Sequence, residues 1–206
     1  MRKIAIIGAG GINSWVIKHL REVVDLFDQQ EVVFTKIFDN DEVEEKNLLR
    51  HNQNFLIEDL MQQKAEVLSK RYEFMFSNIL ITEENINTEL EHFDDILLGV
   101  DNHKTRRLIY EYCLKKKKYL LDLRAQGTLF AFYILDHKKD MAYYDEKFFK
   151  NKAVMERKGS CQLEVDIVND NIQNANKIIA YFGMYGLYLQ HLRGQEISTN
   201  EFKFAY

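Results

Sequence analysis

The chain reads as an α/β protein built on a doubly wound, mostly parallel sheet, with helices on both faces and antiparallel strands towards the C-terminus. Three observations predict this. Short apolar, β-branched runs alternate with helical periodicities along the 206 residues. The first run leads directly into Gly8, Gly10 and Gly11, three of only nine glycines, and a helical pattern begins at once. The second run ends at a carboxylate, Asp39, where dinucleotide-binding folds place the group that holds ribose hydroxyls.

Each element has its own warrant. Lys3 to Ile7 is a short apolar run of the kind that forms a buried parallel strand. Val16, Leu20, Val23 and Phe27 repeat at helical spacing, so an amphipathic helix comes next. Glu31 to Phe38 is rich in valine, isoleucine and phenylalanine and predicts the second strand. Strand, glycine turn, helix and strand make one βαβ unit. An acidic stretch from Asp39 to Glu45 then breaks the pattern, and a helix is expected from about Glu58 to Phe76. Strands are expected at Asn78–Thr82, Ile96–Val100 and Tyr119–Asp122, with a helix over Asn102–Lys115 between the last two. Leu129 to Leu135 predicts a further strand, Asn174 to Leu192 a last helix, and Glu201 to Tyr206 a terminal strand. The charged stretch from Asp136 to Gly159 reads as a long loop. No repeat or linker composition divides the chain, so a single domain over residues 1–206 is expected, with a Rossmann-like architecture.

Composition narrows the class. Apolar residues make up 46% and charged residues 29%, ordinary for a globular protein. No apolar run approaches the length of a membrane span, and the N-terminal hydrophobic stretch is too short for a signal peptide. Two cysteines, Cys113 and Cys161, build neither a disulfide framework nor a four-cysteine zinc site, so a cytoplasmic protein is expected. A net charge of −4 weighs against a general nucleic-acid binder.

The segment Gly8-Ala9-Gly10-Gly11-Ile12-Asn13 sits where a phosphate-cradling loop belongs, between strand and helix. It misses the third glycine of G-x-G-x-x-G, replaced by Asn13, and a tight turn without ligand would use the same glycines. Together with Asp39 it predicts a nucleotide whose ribose lies on the carboxylate and whose phosphates lie on the loop.

The choice of nucleotide turns on three blocks further along the chain. Phe38-Asp39-Asn40-Asp41-Glu42-Val43-Glu44-Glu45-Lys46-Asn47-Leu48-Leu49-Arg50 resembles the D-x-D-x-V-x-x-x-N-L-x-R block of the ThiF/MoeB/HesA family, adenylating domains related to ubiquitin-activating enzymes. Lys64, in Met61-Gln62-Gln63-Lys64, falls near the lysine of that family's G-x-P-K, without its glycine and proline. Gly99-Val100-Asp101-Asn102-His103-Lys104-Thr105-Arg106 resembles the D-N-x-x-x-R block, and Cys113 stands at the family's cysteine seven positions on. The likeness runs in order from about residue 3 to 135.

The resemblance implies an enzyme that joins a carboxylate to the α-phosphate of Mg-ATP and expels pyrophosphate. It assigns Arg50 and Lys64 to the phosphates, Asn47 as a neutral donor, and Asp101 to Mg²⁺. With Gly8, Gly10, Gly11, Asn13, Asp39 and Asp41 these make the expected ATP site. Cations and a metal are what such a reaction needs, since an anionic nucleophile must approach a polyanion. The expected partner is the carboxyl terminus of a small ubiquitin-like or sulfur-carrier protein, and a homodimer is expected. The resemblance implies an arginine inserted into the partner's site from a helix before the first strand, and here that arginine is expected to be missing or to come from elsewhere; C-x-x-C pairs are absent, so no structural zinc is expected.

Alternatives stay open for single residues. Arg50 and Lys64 also read as surface cations, and Asp101-Asn102 as a plain helix N-cap. Cys161, beside Arg157 and Lys158, is a candidate thiol acceptor for the activated carboxyl or a merely packed cysteine. Cys113 reads as core, Lys115 to Lys118 as a solvated helix end or an acidic-partner patch, and Arg124 as a group able to reach a phosphate or carboxylate. Two other functions compete: a catalytically silent partner subunit, and an NAD-dependent oxidoreductase using the same loop.

Overall fold

The computed structural model describes residues 2–26, 34–48, 53–126, 129–136, 171–195 and 201–205. Strands β1 (Lys3–Ile7), β2 (Phe34–Phe38), β3 (Met75–Ser77), β4 (Asp95–Leu98), β5 (Tyr119–Gln126), β6 (Leu129–Leu135) and β7 (Glu201–Ala205) form one sheet. Their order is β3-β2-β1-β4-β5-β6-β7. The first five run parallel, and β6 and β7 add antiparallel ladders at one edge. The helices are α1 (Gly11–Asp25), α2 (Glu45–Leu48), α3 (Lys64–Tyr72), α4 (Ile86–Leu90), α5 (His103–Lys116), α6 (Asn171–Tyr181) and α7 (Leu189–Leu192), with a π-helical segment at Phe182–Tyr188 joining the last two.

Alternation along the central strands divides the core in two. Ile4, Ile6, Leu97, Leu121 and Leu123 pack with Val16, Leu20, Leu68, Ile179 and Met184 on one face. Ala5, Ile7, Ile96, Leu98 and Leu120 pack with Ile86, Leu90, Ile109 and Cys113 on the other. Strands buried on both faces favour apolar residues on both, which is why β1 reads as a continuous run from Ile4 to Ile7. Cys113 is fully buried, and burial pushes its thiol well above the usual range.

Two expected elements move. The third strand is Met75–Ser77 rather than Asn78–Thr82, and the preceding helix stops at Tyr72 because Glu73 turns left-handed at φ 60°. Ile79 to Ile81 pass instead through a loop in which Ile81 is buried and Leu80 half exposed. The fifth strand runs on to Gln126.

One polar cluster lies inside the fold. Asp95, fully buried at the start of β4, is bonded by Arg2, by the Tyr188 hydroxyl at 2.6 Å and by His191 at 3.4 Å. Burial alone would raise this carboxyl, but hydrogen bonds from His191 and Arg2 and the Arg2 charge bring it below the usual range. The cluster ties the last helix to the start of the sheet, at the edge opposite the carboxyl ends of the parallel strands.

Candidate functional site

The strand order reverses between β1 and β4, and open α/β sheets bind ligands outside the carboxyl ends of the strands at such a point. Three chain segments meet there. The loop after β1 begins with Gly8 at φ +87°, a conformation that excludes a side chain, and a Cβ there would meet Val100 at 2.9 Å. Its N–H groups are then assigned in turn. Gly8 donates to the Phe38 carbonyl at 2.8 Å, and Ala9 donates to Asp39 Oδ2 at 2.6 Å. Gly10 is the N-cap of α1, where no side chain caps the helix and no acidic residue occupies the first turn. An uncapped helix start presents N–H groups and the positive end of the helix dipole to an anion.

Asp39, just past β2, bridges the loop and the segment behind it, its other oxygen accepting the Asp41 N–H at 2.8 Å. Burial pushes its carboxyl above the usual aspartate range, against the pull of the Asp41 and Ala9 N–H groups and of Lys64. Lys64 is 6% exposed and pairs through Nζ with Asp41 at 3.1 Å. A short antiparallel pairing brings it there. Val43 donates to the Gln62 carbonyl, Met61 to the Val43 carbonyl and the Lys64 N–H to the Asp41 carbonyl, at 2.8–2.9 Å. Met61 makes the turn in a left-handed conformation, φ 64°.

The third segment lies after β4. Asn102 caps α5, its side chain accepting the Thr105 N–H at 2.7 Å. Asp101 is exposed and makes no hydrogen bond or ion pair among the described residues. Arg106 anchors this turn, donating to the Val100 carbonyl and pairing with the fully buried Asp122. Arg124 bonds the other Asp122 oxygen at 2.9 Å through Nε. Burial and the charges of Arg124 and Arg106 lower the pKa of His103 below the usual histidine range. Lys46 feels both Asp41 and Asp101, although its direct partner is Glu44 at 2.6 Å.

The profile of the ThiF family matches residues 1–182. The chain belongs to the ThiF family. Among solved structures it is similar to E. coli MccB with AMPCPP and MccA, at TM-score 0.76 and 16% identity, covering 100% of this chain and 61% of that one. It is also similar to E. coli MccB with ATP, at TM-score 0.73 and 16% identity, covering 100% and 60%. At such identity the likeness is one of fold, and the chain spans about three fifths of the length of the MccB structures. No curated protein matches the sequence.

Within this ThiF fold the expected residues are distributed unevenly. Gly8, Gly10 and Gly11 form the loop and the start of α1, with Asp39, Asp41 and Lys64 grouped beside them. Asn47 is buried on α2 and accepts the Glu44 N–H at 2.8 Å. Asn13 is fully buried, donating to the Ile7 and Gly8 carbonyls at 2.9 Å each, so its amide shapes the loop from beneath. Of the two residues read as a possible N-cap, Asn102 takes that work and Asp101 does not. Arg50 and Cys161 lie outside the described residues. Among the described residues no group of three or more potential metal ligands converges, and no helix is long and apolar enough to cross a membrane.

Sequence reasoning missed the buried Asp122 between Arg106 and Arg124. An aspartate inside the apolar run Tyr119–Leu123 was the available signal, since a buried carboxylate demands cations. It also missed Asn54, which no motif marks.

Proposed function

We propose that this chain is an ATP-dependent adenylyltransferase that activates a carboxyl terminus as an acyl-adenylate and releases pyrophosphate. The observation that carries the reading is the uncapped start of α1 flanked by Asp39 and the buried Lys64, at the strand-order reversal of a ThiF-family sheet. Asp39 receives the ribose hydroxyls, and the Gly8–Gly11 loop receives the phosphates. Lys64, already in place on Asp41, exchanges that partner for a phosphate oxygen, with Arg50 as the second cation and Asn47 as a neutral donor.

In the reaction a carboxylate oxygen of the substrate attacks the α-phosphorus, and the bond to the bridging oxygen of pyrophosphate breaks. No proton moves, so no general base is required, and the residues act by positioning and by neutralising charge. Mg²⁺ is held in nucleotide sites by one or two carboxylates together with phosphate oxygens. The exposed and uncommitted Asp101 fits that requirement, with Asp41 sharing its electrostatic neighbourhood through Lys46. The metal, when bound, supplies charge neutralisation for the leaving pyrophosphate. The substrate is a small ubiquitin-like or sulfur-carrier protein, and the enzyme works as a cytoplasmic homodimer with the chain as one domain. MccB, solved with ATP and with MccA, supports a nucleotide and a small partner meeting on this fold.

Two measurements test the reading. Titration calorimetry is expected to show binding of Mg-ATP and none of NAD, and the reverse result refutes it. ATP–pyrophosphate exchange should depend on a carrier peptide with a free C-terminal carboxylate and should vanish when that carboxylate is amidated. Cys161→Ala should leave exchange intact, and a reducible conjugate that disappears in this variant would assign the thiol as acceptor.

A further inference from the structure

Asn54 lies between α2 and the short 3₁₀ turn at Ile57–Asp59, away from every motif of the sequence, yet most of its polar groups are committed. Its backbone N–H donates to Ser14 Oγ at 3.0 Å. Its Nδ2 donates to the Ser14 carbonyl at 3.1 Å and to the Tyr72 hydroxyl at 2.6 Å. Its carbonyl accepts Arg71 Nη1 at 2.7 Å, and Arg71 is held in turn by the buried Asp59. Ser14 is fully buried in the first turn of α1, its hydroxyl donating to the Gly11 carbonyl at 3.0 Å and its N–H to the Gly10 carbonyl at 2.8 Å.

Asn54 therefore joins the turn that presents the glycine-loop N–H groups to the last turn of the helix that begins with Lys64. That helix has nine residues, so its two ends are about 12 Å apart and it moves as a rigid rod. Its first end is fixed by the pairing of residues 41–43 with 61–64. The second is fixed on α1 through Asn54.

We infer that Asn54 is a positioning residue for triphosphate binding: it sets the helix bearing Lys64 against the phosphate-binding turn of α1. The inference rests on the nucleotide reading of the site. Loss of the clip lets the rod tilt about its fixed end, and groups that must meet the same phosphate chain fall out of register. A ligand without the outer phosphates does not require that register.

Titration calorimetry with ATP and with AMP, which lacks the β- and γ-phosphates, separates this from a general loss of structure. Asn54→Ala should weaken ATP roughly tenfold, as expected for the loss of two part-buried hydrogen bonds, and AMP less than about twofold. Tyr72→Phe, which removes one acceptor and keeps the ring, should move ATP in the same direction by roughly two- to threefold and serves if the alanine variant does not fold. Equal weakening of both nucleotides, or no change in either, in folded Asn54→Ala or Tyr72→Phe protein overturns the inference. Wild-type protein that binds neither nucleotide overturns the nucleotide reading, and this inference with it.

Discussion

Asn13 and Gly99 are packed so closely that neither position is independent of the other. A Cβ added at Gly99 would lie 2.3 Å from Asn13 Oδ1, 2.5 Å from its Cγ and 2.8 Å from its Nδ2. The amide cannot swing away without releasing the Ile7 and Gly8 carbonyls, each held at 2.9 Å. Overpacking a filled interior costs about 1–3 kcal/mol. The Ile7 carbonyl keeps the Gly99 N–H at 3.2 Å, but leaving the Gly8 carbonyl unmet costs roughly 1–3 kcal/mol more. Gly99→Ala should thus destabilise the fold by about 2–6 kcal/mol, a large share of a typical domain's stability. In an Asn13→Gly background the added methyl meets no amide, and its cost should fall below about 1 kcal/mol. The double-mutant cycle should therefore return a coupling of at least about 1 kcal/mol. Equilibrium urea unfolding followed by fluorescence of Trp15, the sole tryptophan, measures all four variants. Additive effects, or Gly99→Ala as stable as the wild type, would refute the packing argument.

Three further outcomes are expected. Met61→Gly should stabilise the protein by about 0.5–1 kcal/mol, because an L-residue pays at φ 64° more than glycine loses in chain entropy; a lower urea midpoint would contradict this. Asp95→Asn should cost about 1–3 kcal/mol at pH 7 by removing the charge that the half-buried Arg2 is paired with. Because the folded-state pKa of Asp95 is depressed, its contribution is complete above the unfolded-state value near 4 and fades as pH falls through the folded value, so unfolding curves of wild type and variant should converge in acid and not in alkali. Asp101→Asn, exposed and unbonded, should leave the melting temperature within about 2 °C of wild type while abolishing carrier-dependent pyrophosphate exchange; retained turnover would remove Asp101 from the metal's shell.

The sheet is legible in the sequence because its central strands obey simple constraints. A strand covered on both faces is mostly apolar, and Ile4–Ile7 and Ile96–Leu98 say so directly. Element ends are harder to read, for a physical reason. The chain has no proline, and its left-handed turns at Met61, Glu73 and Lys117 are made without glycine. The usual punctuation is missing, so the periodicity of the helix ending at Tyr72 extends on paper into what is β3. That strand carries exposed Met75 and Phe76 at the sheet edge and has no buried alternation to announce it. The short α4 rests on Ile86 and Leu90 alone, too few positions for a periodicity. In the candidate site, the glycine loop and Asp39 are readable because they directly follow the first and second strands, and Lys64 only because the segment around it resembles a family motif. Asn54 and Asp122 are not, since their partners Ser14 and Tyr72, or Arg106 and Arg124, become neighbours only in the folded chain.

The π-helical segment at Phe182–Tyr188 has a consequence for how this chain tolerates change in length. A π turn holds one residue more than an α turn, so the side chains before and after it point in directions that an uninterrupted α-helix could not combine. Ile179 and Met184 face one core while Tyr188 and His191 arrive on Asp95. Deleting a single residue here would shorten no loop and break no strand; the segment would wind back to the tighter helix. The cost would appear a turn later, as Tyr188 and His191 rotate about the helix axis and leave Asp95 and Arg2 to each other. The segment acts as an angular offset, and the last helix reads the sheet correctly only with that offset in place.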